Sequence, residues 1–248
     1  ITREVLEAAK NLKIVVRAVA GYDNIDLDAA TEKKVVVMNT PGQNSNAVAE
    51  LVLGKMVYMA RGQFDGKSGS ELMGKKLGLH AYGNVGRNVA RIAKGFGMEV
   101  SAYDPYISAE AIAKEGVKSV CCVNTLFGQN QYVSLHIPAT PETVGSINYD
   151  LMMSMPKNAV LVNAARGEVI NEADLVKVMQ ERADFKYISD IAPNNAAEIA
   201  EKFPGRYYFT PKKMGAQTEE ANINAGLAAA AQIRDFIKEG VTKYQVNK

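Results

Sequence analysis

The sequence predicts an α/β protein: a doubly wound parallel sheet domain, joined to a second, smaller, N-terminally truncated α/β domain. Three observations point there. Short apolar runs alternate with helix-period segments along most of the chain. One of those runs ends in a glycine-rich turn that opens a helix. Composition fits too: 248 residues, 47% apolar and 23% charged, are enough to bury a core and too apolar for a disordered chain.

Taken in order, strands are expected at residues 13–17, 35–39, 76–81, 99–103, 132–137, 159–163 and 187–190. A helix is expected at 45–61, where Val48, Leu51, Val52 and Met56 form one apolar stripe. Val85, Val89, Ile92 and Ala93 repeat that period over 84–95. A helix at 171–182 opens on Asn171 as a cap, with Asp174 in its first turn. The last helix runs from about Thr218 to Lys238 and stops before Gly240. The segment 61–74 holds four glycines and reads as a loop. Junctions near Ser45 and Thr218 divide the chain into a partial substrate domain, 1–45 with 219–248, and a dinucleotide domain, 46–218. The first ten residues read as a helix with nothing ahead of it, so a missing N-terminal segment is expected.

Several function classes fall away. A net charge of +2 argues against nucleic acid or an acidic membrane surface as partner. No apolar run approaches the roughly 20 residues that span a bilayer. The two cysteines, Cys121 and Cys122, are adjacent, which does not suit a structural bridge. They are expected to be reduced, in a cytoplasmic protein. No metal site is expected.

The strongest local motif is Ala81-x-Gly83-x-x-Gly86, between an apolar run and a helix. It is a dinucleotide (Rossmann) fingerprint with alanine in the first place. Gly83 lets the backbone approach a pyrophosphate, and Gly86 lets the helix pack close to the strand. The unpaired N–H groups of the helix start, around Tyr82, Gly83, Asn84, Val85 and Gly86, attract that anion. A second strand ends in Asp104, about 20 residues on, the spacing of an acid that binds a ribose hydroxyl. A carboxylate there repels a 2′-phosphate, so NAD is favoured over NADP. A glycine turn in an ordinary βα unit is the plainer alternative; the strand, helix, second strand and terminal acid together argue for the nucleotide.

In open α/β sheets ligands bind beyond the carboxyl ends of the strands. Arg166 stands at such an end, after an apolar run and before Gly167. Its planar fork suits a carboxylate or the oxygen pair of a 2-keto acid. An ion pair with Asp190 or Glu168 is the other reading.

Ordered matches now extend almost end to end: Gly21-Tyr-Asp-Asn-Ile-Asp26, Asn39-Thr-Pro-Gly-Gln-Asn-Ser45, the fingerprint, Leu135-His-Ile-Pro-Ala-Thr-Pro-Glu-Thr143, Asn163-Ala-Ala-Arg-Gly167, and Thr210-Pro211 with Gly215-Ala-Gln-Thr218. On these the chain resembles the D-2-hydroxyacid dehydrogenase family. The resemblance implies a two-domain enzyme, usually a homodimer or homotetramer, that oxidises a small 2-hydroxy acid, here a phosphorylated one, with NAD. It implies that Arg166 holds the substrate carboxylate and carbonyl, with the backbone of Val19, Ala20 and Gly21 assisting. Asp104 would bind the adenosine ribose and Asp190 the nicotinamide amide. His136, Pro138, Thr143, Ala164, Ala165 and Gly215 would line the cofactor groove.

Two departures stand out. The family's acid/base histidine follows the Thr-Pro, where this chain has Lys212. The glutamate expected a few residues after Asp190 is absent. Of the two histidines, His80 is expected to be a packed core residue and His136 to belong to the cofactor loop. The resemblance extends to short family members in which lysine takes the histidine's role. Lys212 is therefore the expected acid/base and Lys213 the second choice, since the doubled lysine leaves the register open by one. An unperturbed lysine is neutral in only about one molecule in 2,500 at pH 7, so a basic role calls for desolvation or nearby positive charge. Two surface charges, or one lysine gripping a substrate phosphate, are the plainer readings. A glyoxylate or hydroxypyruvate reductase and a non-catalytic NAD-sensing interaction protein remain open as alternatives.

Overall fold

A computed structural model describes residues 1–247 of the chain. In order, the elements are α1 (Arg3–Ala8), β1 (Ile14–Arg17), α2 (Leu27–Glu32), β2 (Val36–Asn39), α3 (Ser45–Ala60), β3 (Lys76–His80), α4 (Asn84–Gly95) and β4 (Glu99–Tyr103). There follow α5 (Ala109–Lys114), β5 (Lys118–Ser119), α6 (Val123–Gln129), β6 (Tyr132–Leu135), α7 (Tyr149–Ser154) and β7 (Val160–Asn163). The chain closes with α8 (Glu172–Glu181), β8 (Lys186–Ser189), α9 (Ala196–Lys202), β9 (Tyr207–Phe209) and α10 (Glu219–Glu239). Residues 48–215 form one compact unit, and 1–47 with 216–248 form another. Among the described residues no helix is long and apolar enough to cross a membrane.

The larger unit is a seven-stranded sheet in the order β5-β4-β3-β6-β7-β8-β9, parallel throughout. Its residues alternate between two cores, as the period of two requires. Val160 and Val162 face one apolar cluster, with Val52 and Met56 of α3 and Val89 of α4. Leu161 between them faces the other, with Phe127 of α6 and Leu175 of α8. Both faces are covered, which is why the strands read as continuous apolar runs. The strand order reverses between β3 and β6, so a crevice opens at their carboxyl ends. The two edge strands, β5 and β9, were absent from the expected set. The expected cap at Asn171 forms, its side chain accepting from the backbone N–H of Asp174, and Thr218 caps α10 in the same way, accepting from the N–H of Ala221. Gly240 ends α10 in the left-handed conformation, with φ 68°.

The smaller unit has two parallel strands, β1 and β2. Leu6, Ile25, Ala29, Ala30, Val35 and Val37 make its core. Its C-terminal segment adds an antiparallel bridge between Gln245 and Met38. Asn247 anchors that segment, accepting from the backbone N–H of Val37 at 2.7 Å and donating to the carbonyl of Val35 at 2.9 Å.

Candidate active site

The fingerprint turn sits at the carboxyl end of β3. Ala81, in the place usually held by glycine, has φ 81°, a conformation that opposes a Cβ. Its N–H donates to the carbonyl of Tyr103 at 2.9 Å, tying the turn to β4. Gly86 must be glycine, because a Cβ there would lie 2.5 Å from the Ala81 carbonyl oxygen. Gly83 is different. It caps α4 without any side-chain hydrogen bond, and a Cβ on it would meet no atom within 4 Å. Asn84 is exposed and Val85 half-buried at the start of the helix. Tyr82 turns its ring into the core, where its hydroxyl donates to Glu115 at 2.9 Å. Arg87 stacks on that ring and pairs with Glu115. Tyr82 therefore presents only backbone to the turn.

Asp104 accepts from the N–H of Tyr82 and of Tyr106, both at 2.8 Å, one on each oxygen. Each oxygen keeps a second lone pair, so the carboxylate can bind a ribose hydroxyl while it holds the turn.

His80 and His136 end β3 and follow β6, and the His136 N–H donates to the His80 carbonyl at 2.9 Å. His80 Nδ1 and both ring nitrogens of His136 are buried without a hydrogen-bond partner. Burial pushes His80 down to about 4, against the pull of Asp104. Burial, with a smaller push from His80, lowers His136 to about 3. Both rings are thus neutral near pH 7. The orphaned nitrogens of His136, the open cradle at Gly83 and the acid at Asp104 fit a dinucleotide with polar groups along this crevice. In the loop beyond, Pro138 is exposed. Thr143 closes that loop, its hydroxyl donating to the Pro138 carbonyl at 2.6 Å and accepting from the Thr140 N–H at 2.7 Å.

At the end of β7, Asn163 is 2% exposed and shapes the turn that follows. It accepts from the Ala165 N–H at 3.0 Å and donates to the Arg166 carbonyl at 2.9 Å. Sequence reasoning did not select it, although a buried polar residue ending an apolar run is a usable signal. Ala164 and Ala165 are half-buried, as is Arg166. The Arg166 guanidinium reaches the Ala165 carbonyl at 3.4 Å.

Asp190 follows β8 and is 4% exposed. Its carboxylate accepts from Lys55 Nζ at 3.3 Å, the Thr210 hydroxyl at 3.1 Å, the Met214 N–H at 3.2 Å and the Gly215 N–H at 2.8 Å. Gly215 has no room for a side chain, since a Cβ would meet Asp190 Oδ2 at 2.8 Å. Asp190 was expected to orient a nicotinamide amide. In the structure its carboxylate pins both ends of the loop that carries the lysine pair. Lys55, on α3, is its buried counter-ion and also donates to the Ser189 carbonyl at 3.1 Å. Burial lowers the pKa of Lys55, and Asp190 only partly opposes the shift. Nothing in the sequence singled out Lys55.

Lys212 and Lys213 are both exposed. Lys213 Nζ lies 3.1 Å from the Ala165 carbonyl, the oxygen that Arg166 also reaches. The second-choice lysine of the pair thus shares an acceptor with the arginine.

In the smaller unit Val19, Ala20 and Gly21 form the loop after β1. It is held by the Thr40 N–H on the Val19 carbonyl at 3.1 Å and by Asn39 on the Ala20 carbonyl at 2.7 Å. A cavity of about 30 Å³ adjoins it, lined by Val19, Gln43, Asn44 and Thr40, whose buried hydroxyl lacks a partner. A larger cavity of about 440 Å³ lies in the other unit, between Lys75, Tyr132, Asn158 and Lys186. It is at the amino ends of the strands, the opposite end from the fingerprint, so its size does not make it the site.

Residues 48–205 match the family described as D-isomer specific 2-hydroxyacid dehydrogenase, NAD binding domain. A D-3-phosphoglycerate dehydrogenase of Methanocaldococcus jannaschii is 38% identical over 265 residues, covering 100% of this chain and 50% of its own. A hydroxypyruvate reductase of Thermotoga maritima is 40% identical over 188 residues, 71% of this chain and 60% of its own. The crystal structure of NAD⁺-bound 3-phosphoglycerate dehydrogenase from Entamoeba histolytica superposes with a TM-score of 0.90 at 47% identity, over 100% of this chain and 80% of that one. The chain spans about half the length of the curated phosphoglycerate dehydrogenases it matches.

Proposed function

This chain belongs to the D-isomer specific 2-hydroxyacid dehydrogenase family, and from that premise we propose that it oxidises D-3-phosphoglycerate to 3-phosphohydroxypyruvate with NAD, the step that opens serine biosynthesis. The observation that carries this reading is the meeting of Lys213 and Arg166 on the Ala165 carbonyl. An ammonium and a guanidinium at the carboxyl end of β7 provide one proton carrier and one carboxylate clamp.

NAD, when bound, supplies the hydride acceptor. Arg166 holds the substrate carboxylate by its planar fork. Lys213 takes the proton from the substrate hydroxyl, the work of the family's histidine, and returns it in reverse. Its charged form steadies negative charge developing on that oxygen. Asp190 keeps Lys213 in place through Met214 and Gly215. The glycine cradle holds the pyrophosphate and Asp104 the ribose. Val19, Ala20 and Gly21 remain the proposed carboxylate contacts of the smaller unit.

The test is NADH formation from 3-phosphoglycerate by the wild type, Lys213→Ala and Lys212→Ala. Loss of the acid/base should lower kcat roughly 10²–10⁴-fold in Lys213→Ala, with Lys212→Ala within a few-fold of wild type. Full turnover by Lys213→Ala from neutral to alkaline pH removes Lys213 from the role. The identity to a hydroxypyruvate reductase supports a second reading on the same groups. A kcat/KM higher for hydroxypyruvate than for its phosphorylated form would favour it. NAD binding without turnover of either acid would favour a sensor.

A further inference from the structure

Cys121 and Cys122 lie between β5 and α6, apart from the groups assigned above. Neighbouring side chains on extended backbone point to opposite faces. Cys122 is extended, with φ −161° and ψ 167°. Even so, the two sulfurs converge to 3.6 Å. Both also contact the Thr125 hydroxyl, at 3.4 Å from Cys121 and 3.2 Å from Cys122. Both are free, Cys121 exposed and Cys122 half-buried.

Ligand chemistry narrows what such a pair can hold. Structural zinc takes four ligands. No group of three or more His, Cys, Asp or Glu suited to a metal occurs among the described residues. A disulfide requires the sulfurs to close to about 2.05 Å across a single peptide unit. A soft bridging atom that needs only two thiolates has neither problem.

We propose that Cys121 and Cys122 form a bidentate site for trivalent arsenic. With an organoarsonous acid, each thiol displaces one hydroxyl. Two As–S bonds form and two As–O bonds break, and each thiol proton leaves with a hydroxide as water. Arsenic stays trivalent and nothing is oxidised. Thr125 prepares the site: its hydrogen bond is the largest cause holding the Cys122 thiol below its usual range, toward the thiolate that acts as ligand. The proposal is independent of the catalytic reading.

The experiment uses phenylarsonous acid and intact-protein mass spectrometry. The chain has only these two cysteines, so no other thiol competes. The wild type should gain one phenylarsenic group less two hydrogens. That adduct should survive excess glutathione, a monothiol, and be stripped by dithiothreitol, a dithiol. Cys121→Ser and Cys122→Ser should each lose the glutathione-resistant adduct completely. Serine is a preferred helix cap, so Cys122→Ser keeps the start of α6 intact. The proposal is overturned if glutathione strips the wild type as readily as the variants, or if either variant keeps a resistant adduct.

Discussion

Lys55→Met tests the account of Asp190 most directly. The substitution removes the ammonium 3.3 Å from the carboxylate while keeping an unbranched chain of similar length in the core. Both partners are 5% exposed, so water cannot replace the lost charge. Removing one member of a buried pair costs about 3–5 kcal/mol, because the other charge stays buried. Three further donors remain on Asp190: the Thr210 hydroxyl and the N–H groups of Met214 and Gly215. The low end, about 3 kcal/mol, is therefore expected. For a chain of this size each kcal/mol moves Tm by roughly 2–4 °C, so Tm should fall by roughly 6–12 °C. Thermal unfolding gives that shift, and urea unfolding at low and high salt gives the free energy. Salt should leave the difference unchanged, since neither charge faces solvent. Lys202→Met is the control. It breaks the exposed Glu198–Lys202 pair on α9, at 2.7 Å, and should cost at most about 0.5 kcal/mol. If Lys55→Met costs no more than Lys202→Met, the buried pair does not stabilise the site, and Asp190 is held by its other donors alone.

Three further outcomes follow from the fingerprint and the histidines. Ala81→Gly should stabilise the protein by roughly 0.5–1 kcal/mol in thermal unfolding, because relief of the left-handed backbone outweighs the extra freedom of glycine in the unfolded chain. Gly86→Ala should destabilise it and weaken NAD binding by calorimetry, since the new Cβ meets backbone at 2.5 Å and must push α4 off β3. The buried histidines should make the fold sensitive to acid. Their folded values, about 4 and about 3, lie below the ordinary 6.5, so the unfolded chain takes up protons first. The stability they contribute is complete above about pH 6.5 and falls as pH drops through 4, by on the order of 3 kcal/mol for His80. His80→Phe should flatten that part of the stability–pH curve, and an unchanged slope would count against the buried neutral ring.

What the sequence revealed was local. Strand and helix periods, the spacing of Gly83 and Gly86, and the cap at Asn171 each lie within a few residues, where pattern and physics coincide. β5 and β9 escaped because two and three residues at the sheet edges carry no period to read. Lys55 escaped for another reason. A lysine on a helix is ordinarily a solvated charge, and only the packing of α3 on β8 brings it to a carboxylate 135 residues away.

The lysine pair shows how such distant packing places side chains. Thr210, Met214 and Gly215 are all bonded to one buried carboxylate. The segment between them is thus fixed at both ends, and its middle residues cannot slide in register. Within that constraint Lys213 donates to the Ala165 carbonyl at 3.1 Å. The position of Lys213, the proton carrier proposed above, is set by the acid that anchors its loop. Moving that anchor should therefore impair turnover even though Asp190 need never touch the substrate.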